Sequence, residues 1–490
     1  MPQLPAALYS AAQMRELDRR VIEDQHVPAL TLMTRAGTAA WQTLQRNWPK
    51  ARDIVVFAGA GNNAGDGYVL ATQALRAKRR VAVLNVGDPA KLTGAAAMAR
   101  KRFLAAKGRE QPFTGELLAK ADVIVDALFG IGLDRPLRDH WAQAVERINA
   151  SGKPVLAVDI PSGLSADSGA ILGAAVRATV TQTFIGLKAG LFTGAGPSCT
   201  GELEFDMLKV PPRTFESMPP HASLLDDAHS PLPRRARAAH KGDFGHVLVI
   251  GGDHGMGGAP CLSAGAALRS GAGLVSVITR PEHVAGFLAG LPEAMVRGVD
   301  DAAEAAGLFE RATVIAAGPG LGQGEWGRQL LTRALATPLP LVVDADALNL
   351  LATQPQTRGQ WILTPHPGEA ARLLQQSVVE VQQDRLKAAA RIAEKYRAVV
   401  VLKGAGSIVA ANGETPTICR HGNPGMAAPG MGDALTGIIA ALVAQGLTLS
   451  EAARAGVQAH AHAGDRAAKA GERGLLARDL IAELRAVLNA

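Results

Sequence analysis

Short runs of valine, isoleucine and leucine alternate along the chain with longer stretches rich in alanine and leucine. In the first half the apolar runs are IVVFAG (54–59), RVAVLNVG (80–87), DVIVDALFG (122–130), PVLAVDIPSG (154–163) and GELEFDML (201–208). Because these runs contain few polar positions, they predict strands buried on both faces, which is typical of a parallel sheet covered by helices. The first half is therefore predicted to be an α/β domain.

The alternation stops between Val210 and Lys241, where the sequence is rich in proline, histidine and charge. It restarts with HVLVIGG (246–252), LVSVITR (274–280), TVIAAGPGLG (313–322), PLVVDADAL (340–348), WILTPHPGE (361–369) and AVVVLKGAGSIV (398–409). The two halves share this rhythm but no repeated motif. We therefore predict two unrelated α/β domains, residues 1–215 and 236–490, joined by a linker of residues 216–235.

Composition and charge favour an enzyme that acts on small molecules. The net charge of +7, from 51 basic and 44 acidic residues in 490, is modest for this length. It suits anionic metabolites and does not require nucleic acid. The uncharged stretch 434–450 contains threonine, glycine and glutamine, so it predicts a buried helix rather than a membrane span. We expect neither a nucleic-acid partner nor a membrane segment.

The three cysteines, Cys199, Cys261 and Cys419, lie far apart and form no CxxC pair. This spacing argues against a disulfide framework and against a thiolate metal site. The N-terminal sequence lacks a basic region followed by an apolar core, so it does not predict a signal peptide. We therefore expect a cytoplasmic protein.

A glycine-rich turn, AGNNAGDG (60–67), follows the first strand. Its glycines let the backbone approach a ligand, and the next helix presents unpaired N–H groups to an anion. A tight strand-to-helix turn requires glycines anyway, but Asn62, Asn63 and Asp66 put three polar side chains in one turn. The turn therefore predicts a site for phosphate or pyrophosphate.

Two further strand ends carry polar residues: Asp126 in VDALFGIGLDRP, and Asp159 with Ser162 in VDIPSG. The carboxyl ends of parallel strands surround the ligand crevice, so Asn63, Asp126 and Ser162 are expected to converge there. One amide, one carboxylate and one hydroxyl carry little charge, which favours a monovalent cation. The alternative is that Asp126 only caps a turn.

The ordered set GNNAGDG, VDALFGIGL, VDIPSG and FIGLKAGLFTGAG resembles the NAD(P)H-hydrate epimerase family over nearly all of residues 1–210. The resemblance implies a Rossmann-like domain that binds K⁺ through Asn63, Asp126 and Ser162. It also implies that Asp159 contacts the substrate, and we assign Asp159 a proton-transfer role. The implied substrate-binding residues are Asn62, Asn63, Ala64, Gly65, Asp66, Gly130, Ile131, Gly132, Leu133, Asp134, Arg135, Pro136 and Asp159. The chain departs from the family at Ala64, where glycine is usual, and the added methyl group requires a negative φ there.

The second half contains GNPGMAAPGMGD followed by an apolar helix. The turn Gly430-Met431-Gly432 would aim backbone N–H groups and the positive helix end at one point, beside the carboxylate of Asp433. This arrangement predicts an anion hole with a base next to it, as phosphoryl transfer requires. The alternative is that Asp433 is an ordinary N-cap.

Glycine-rich turns upstream support a nucleotide site in the same domain. Lys403, Gly404, Gly406 and Ser407 follow a predicted strand, and GPGLG (318–322) offers another loop of close approach. His366 lies at a strand end between two prolines, which fix its direction. It is either a substrate contact or a structural histidine.

Together, GGAP (257–260), GPGLG, DADAL, LTPHPGE, LKGAGSIV and GNPGMAAPGMGD resemble the ADP- or ATP-dependent NAD(P)H-hydrate dehydratases, a branch of the ribokinase-like fold. The match runs from about Arg235 to the end of the sequence. The substrate contacts that the resemblance implies are Ala259, Gly320, His366 and Asp433. The implied nucleotide contacts are Lys403, Gly404, Ala405, Gly406, Ser407 and Gly432. Mg²⁺ is implied on the nucleotide phosphates, and since no metal-ligand cluster is visible, we expect phosphate and water to hold it.

The two resemblances together imply two three-layer αβα domains and a bifunctional repair enzyme for NADHX and NADPHX, the hydrated forms of NADH and NADPH. The first domain would interconvert the R and S hydrates. The second would dehydrate the S form at the expense of ADP, giving AMP and phosphate, with Asp433 as base. We expect a homo-oligomer. The competing hypothesis is a small-molecule kinase for a vitamin or sugar, fused to a non-catalytic N-terminal binding module.

Overall fold

The computed structural model describes residues 4–114, 120–225 and 232–489. The chain divides into two compact units, Met1–Ser223 and Leu224–Ala490. This division falls within the predicted linker, whose residues 226–231 lie outside the described part.

The first unit is built on seven strands that pair in the order β4-β3-β2-β5-β6-β7-β9, all parallel. The strands up to the boundary are β1 (Ala7–Tyr9), β2 (Asp53–Ala58), β3 (Arg80–Asn85), β4 (Arg109–Pro112), β5 (Val123–Ala127), β6 (Val155–Val158), β7 (Val180–Phe184), β8 (Leu187–Lys188), β9 (Glu202–Asp206) and β10 (Ala222–Leu224). The helices are α1 (Ala11–Arg19), α2 (Ala29–Asn47), α3 (Asn62–Arg76), α4 (Gly94–Ala105), α5 (Asp139–Ala150) and α6 (Gly196–Thr200). The short strand β1 pairs with β8 and β10.

Helices cover both faces of this sheet, because successive residues of a strand point to opposite sides. Val56 belongs to one apolar cluster, which includes Leu70 of α3. Its neighbour Phe57 belongs to another cluster, which includes Ile148 of α5. The predicted parallel sheet in a three-layer αβα arrangement is therefore confirmed for this unit.

The polar turn after β2 differs from the expectation, because α3 already begins at Asn62. Asn63 and Asp66 are therefore in the first turns of a helix, where backbone N–H groups lack intrahelical partners. Ala64 lies in the same helix and is not among the residues with positive φ. The negative φ that its methyl group requires is thus confirmed.

The second unit has parallel strands in the order β13-β12-β11-β14-β15-β16-β17, followed by the antiparallel β18 and β19. Its strands are β11 (His246–Ile250), β12 (Leu274–Thr279), β13 (Met295–Gly298), β14 (Val314–Ala317), β15 (Leu341–Val343), β16 (Trp361–Leu363), β17 (Val399–Leu402), β18 (Ile408–Ala410) and β19 (Thr417–Ile418). Its helices are α7 (Gly258–Arg269), α8 (Val284–Gly290), α9 (Ala306–Phe309), α10 (Glu325–Ala336), α11 (Ala345–Thr353), α12 (Pro367–Leu374), α13 (Val378–Gln383), α14 (Arg385–Tyr396), α15 (Met431–Ala444), α16 (Leu449–Ala467) and α17 (Ala477–Val487).

The most buried helix of this unit is α15, in which every residue from 434 to 443 is buried. It approaches α7 closely, since a Cβ at Gly437 would lie 2.0 Å from the carbonyl oxygen of Ser263. Among the described residues, no helix combines the length and apolar character needed to span a membrane. The apolar stretch is therefore largely a core helix, as expected.

Candidate active sites

A cavity of about 1030 Å³ lies at the carboxyl ends of β2, β5 and β6 in the first unit. Ten of the predicted substrate-binding residues line it: Asn62, Asn63, Asp66, Gly130, Ile131, Gly132, Leu133, Arg135, Pro136 and Asp159. Three others, Ala64, Gly65 and Asp134, are not among the lining residues. Gly65 instead lets helices approach, because a Cβ there would lie 2.5 Å from Sδ of Met33 on α2.

Asp126 and Ser162 are fully buried and hydrogen-bonded to each other. Ser162 donates from its backbone N–H over 2.8 Å and from Oγ over 2.6 Å to the two oxygens of the Asp126 carboxylate. The N–H of Leu128 donates to the same carboxylate over 3.2 Å, so Asp126 does cap the turn after β5. Burial raises the pKa of Asp126 to about 6.

Asn63 is 7% exposed, and within the described part of the chain neither its Oδ1 nor its Nδ2 has a hydrogen-bond partner. Buried amide groups are almost always hydrogen-bonded, so this side chain indicates a missing ligand. A Cβ on Gly130 would lie 3.7 Å from the Asn63 side chain and 3.4 Å from Oδ2 of Asp159. Asn63 therefore lies next to the substrate-facing wall of the cavity. An amide oxygen is a donor that suits K⁺, and no His, Cys, Asp and Glu cluster for a metal is found among the described residues.

Asp159 has a positive φ of 70° and forms an ion pair with Lys188. Lys188 is 1% exposed, and its Nζ also donates to Oγ1 of Thr183 over 2.8 Å and to the carbonyl oxygen of Phe184 over 3.1 Å. The ammonium group is therefore fully hydrogen-bonded. A strained backbone next to a buried ion pair is typical of a functional position.

Two more carboxyl groups face this cavity, Asp18 on α1 and Asp66 on α3. Burial, followed by the charge of Asp159, raises the pKa of Asp18 to about 6. The same two causes raise the pKa of Asp66 well above its usual range. Asp18 was not among the predicted residues, because the charged segment MRELDRR is typical of a solvated helix. Lys188 was not predicted either, although a lysine inside the apolar segment FIGLKAGLF is a usable signal.

In the second unit, Asp433 lies in the first turn of α15, which begins after Gly430. The N-cap is Gly430, with φ of 86°, so the alternative that Asp433 is the N-cap is wrong. Oγ of Ser263 donates to the backbone carbonyl of Asp433 over 2.8 Å, which fixes this turn against α7. Burial, and then the charge of Asp344, raise the pKa of the Asp433 carboxyl to about 6 against the opposing charge of Lys403.

Lys403 contacts two carboxylates near the start of α15. Its Nζ lies 2.5 Å from Oδ1 of Asp344 and 3.8 Å from Oε2 of Glu369. Thr436 donates to Oδ2 of Asp344 over 2.9 Å. Burial raises the pKa of Asp344, but the charge of Lys403 together with hydrogen bonds from Lys403, Thr436 and Thr364 holds it below its usual range. A Cβ on Gly432 would lie 3.2 Å from Nζ of Lys403, so the predicted nucleotide residues Lys403 and Gly432 do adjoin.

His366 is the N-cap of α12, where its Nδ1 accepts from the N–H of Gly368 over 2.9 Å. Its own N–H donates to Glu369 over 2.7 Å. Burial and the charge of Lys403 lower the pKa of His366. Because Nδ1 accepts a hydrogen bond, the neutral imidazole carries its proton on Nε2. His366 is therefore a structural histidine through Nδ1, which caps α12, while half of its side chain stays exposed at the strand end. Asp344 and Glu369 were not predicted as site residues, although they lie in the motifs DADAL and LTPHPGE.

The remaining predicted contacts belong to two glycine turns. Gly320 has φ of 59°, and a Cβ there would lie 3.3 Å from Cβ of Ala259, so these two predicted substrate contacts adjoin. In the same loop Gly322 donates to Asp346 over 3.0 Å, and the Asp346 charge contributes to the raised pKa of Asp433. In the turn 404–407, which includes the exposed Ala405, Oγ of Ser407 donates to the carbonyl of Gly404 over 3.1 Å. This turn directly follows Lys403.

Both halves of the chain match known protein families. The profile of NAD(P)H-hydrate dehydratase matches residues 247–486, and that of the YjeF-related protein N-terminus matches residues 29–190. The bifunctional NAD(P)H-hydrate repair enzyme Nnr of Coxiella burnetii is 48% identical over 485 residues, which cover 98% of this chain and 99% of that protein. The enzyme of the same name from Escherichia coli is 43% identical and covers 99% of this chain and 95% of its own length. The chain belongs to the family of bifunctional NAD(P)H-hydrate repair enzymes.

Solved structures that are similar to this chain match about half of it. The ADP/ATP-dependent NAD(P)H-hydrate dehydratase of Bacillus subtilis, co-crystallised with ATP and Mg²⁺, has a TM-score of 0.51 and 31% identity, covering 55% of this chain and 98% of that one. A ribokinase-like superfamily protein of Enterococcus faecalis has a TM-score of 0.50 and 32% identity, covering 53% and 91%. The ribokinase-like fold predicted for the second half is therefore confirmed.

Proposed function

We propose that this chain repairs hydrated nicotinamide nucleotides. The first unit interconverts the R and S forms of NADHX and NADPHX, and the second dehydrates the S form while converting ADP to AMP and phosphate. The observation that carries the proposal is that the bifunctional NAD(P)H-hydrate repair enzyme of Coxiella burnetii matches 98% of the chain, so both units are present in one polypeptide.

The second unit supplies a base and an anion site for this chemistry. A hydroxyl is a poor leaving group, whereas phosphate is a good one, so phosphorylation of the C6 hydroxyl makes elimination possible. Asp433 is the base that takes the hydroxyl proton, and the N–H groups at the start of α15 receive the charge on the transferred phosphate. A pKa of about 6 for Asp433 suits a base that works near neutral pH.

Mg²⁺ bound to the nucleotide phosphates would neutralise their charge during transfer. Asp344 and Glu369 are both engaged within the protein, Asp344 by Lys403 and Thr436, and Glu369 by the backbone N–H of His366. We propose that phosphate and water hold the ion.

K⁺ is the proposed ion of the first unit, held by Asn63, Asp126 and Ser162. The support for it is the unpartnered Asn63 side chain, whose oxygen needs a ligand. Ser162 adjoins the same wall, since its Oγ accepts from the N–H of Phe129, the residue before Gly130. The ion would neutralise the local negative charge and fix the loop 130–136 that lines the cavity.

The decisive experiment gives hydrated NADH and ADP to the intact chain and to Asp433→Asn. The intact chain is expected to convert both epimers, with release of phosphate and recovery of the near-ultraviolet absorbance of reduced nicotinamide. The variant should recover almost none. A stable phosphorylated product instead would identify a small-molecule kinase and refute the proposed dehydration.

The proposed partners are therefore NADHX, NADPHX and a nucleotide. Replacing ADP by ATP in the same assay gives the nucleotide preference. A homo-oligomer and a cytoplasmic location complete the proposal, and light scattering of the purified chain tests the first of these.

A further inference from the structure

Three carboxyl groups lie close together in the cavity of the first unit. Asp18, Asp66 and Asp159 face it from three different elements, α1, α3 and the loop after β6. The buried cation beside them is Lys188, and its three donors go to Asp159, Thr183 and Phe184. Within the described part of the chain, neither Asp18 nor Asp66 makes a hydrogen bond or ion pair through its carboxyl group.

Asp18 is held firmly although its carboxyl group is unpartnered. Helix α1 begins at a capping box between Ser10 and Gln13, and the N–H of Ala11 donates to Asp167 over 2.6 Å. The buried side chain of Leu17 fixes the helix face next to Asp18. An unpartnered carboxyl group on a fixed helix, facing a ligand-sized cavity, is not needed for folding.

The surroundings of Asp18 favour a carboxylic acid over a carboxylate. The charges that act on Asp18 are the carboxyl of Asp159 and the ammonium of Lys188. The other titratable groups that line the same cavity are Arg15, Asp66, Arg135, Arg138, Asp139 and His140. Burial and the charge of Asp159 raise the pKa of Asp18 to about 6. Burial, followed by the charges of Asp159 and Asp18, raises the pKa of Asp66 well above its usual range. Among these carboxyl groups, Asp18 is the one suited to exchanging a proton near neutral pH.

We propose that Asp18, in place of Asp159, is the acid/base group of the epimerisation, because Asp159 is held as a fixed charge by its ion pair with Lys188. This inference rests on the proposed epimerase function. The Asp18 carboxylic acid gives its proton to the C6 hydroxyl, the C6–O bond breaks with its electron pair on oxygen, and water leaves. The lone pair of the ring nitrogen forms a C=N bond to C6. Water then adds to the other face of C6, its proton returns to Asp18, and the C=N electron pair returns to nitrogen.

The test measures conversion of the purified R epimer to S by the intact chain without nucleotide. Asp18→Asn keeps the size of the side chain and removes its exchangeable proton, so kcat is expected to fall on the order of 100-fold with KM unchanged. Asp18→Glu should recover part of the rate. The matched control is Asp24→Asn, an exposed residue just beyond α1 whose carboxylate pairs with Arg19, and it should leave kcat unchanged.

The pH profile separates proton transfer from a structural role. If the protonated form of Asp18 acts, the wild-type rate falls as pH rises above about 6, and Asp18→Asn is slow and independent of pH across that range. A rate near that of the wild type in Asp18→Asn, or a change in KM alone, would overturn the inference. A wild-type chain no faster than free solution would instead refute the epimerase function itself. Circular dichroism of each variant confirms that the fold is kept.

Discussion

Lys188 of β8 and Asp159, the residue after β6, form an ion pair at the wall of the first unit's cavity. The lysine side chain is 1% exposed and the aspartate side chain 15%, so the pair is largely removed from water. Two residues 29 positions apart in the sequence are thereby fixed beside the loop 130–136. The pair is therefore expected to affect both the stability of this unit and the chemistry in its cavity.

Removing one partner of this pair is expected to destabilise the first unit. Lys188→Met leaves the Asp159 carboxylate without its counter-charge, and breaking a buried pair in this way costs about 3 kcal/mol of unfolding free energy. Urea unfolding of the intact chain measures the loss. The double variant with Asp159→Asn removes the orphaned charge and should regain part of the stability. An unchanged unfolding midpoint in the single variant would contradict the role of the pair.

The strand segments and the glycine turns were predictable from sequence because they depend on local patterns, whereas the order of the strands in the sheets was not predicted. Buried parallel strands require apolar runs, and α15 requires an uncharged apolar stretch, so both are visible without knowledge of distant contacts. The start of α3 at Asn62 was not predictable, since a glycine-rich turn and a first helical turn use the same residues. Local sequence fixes the type of an element better than its first residue.

Which charged groups pair in the two sites could not be predicted, because the partners come from distant segments. Lys403 and Asp344 are 59 positions apart, and only the fold makes them an ion pair. As a result, Lys403 was assigned to the nucleotide alone, and the carboxylates beside it were missed. The charged residues that act on the pKa of Asp433, which are Asp344, Lys403 and Asp346, likewise come from distant segments.

The dehydration step is expected to depend on the ionised form of Asp433. Since the pKa of this carboxyl is about 6, the wild-type rate should fall as pH drops below that value, where the base becomes protonated. Asp433→Asn should lose on the order of 100-fold or more in kcat at neutral pH. Asp300→Asn, at an exposed position of the same unit, is the control and should keep full activity. If the residual activity of Asp433→Asn fell in the same way as pH drops below about 6, another residue would be the base.

The close approach of α7 and α15 predicts a large difference between two glycine substitutions. In Gly437→Ala the new methyl group would lie 2.0 Å from the Ser263 carbonyl oxygen, so the helices must separate. Overpacking of this kind costs roughly 1–3 kcal/mol, measured by urea unfolding. Gly290→Ala in α8 has no atom within 4 Å of its Cβ and should leave stability nearly unchanged. Equal unfolding midpoints for the two variants would show that α15 can move away from α7.

The unpartnered amide of Asn63 predicts that K⁺ acts on both stability and epimerisation. When K⁺ replaces tetramethylammonium at constant ionic strength, the wild-type unfolding temperature and the epimerisation rate should both rise, because an ion that binds only the folded state stabilises it. Asn63→Leu keeps the volume of the side chain but removes the oxygen that K⁺ would bind. Because a buried amide without a partner is costly, this variant should be at least as stable as the wild type without K⁺, yet insensitive to K⁺. A K⁺ response that persists in Asn63→Leu would exclude the amide as a ligand. If K⁺ changed neither quantity in the wild type, Asn63 would be assigned to substrate binding rather than to ion binding.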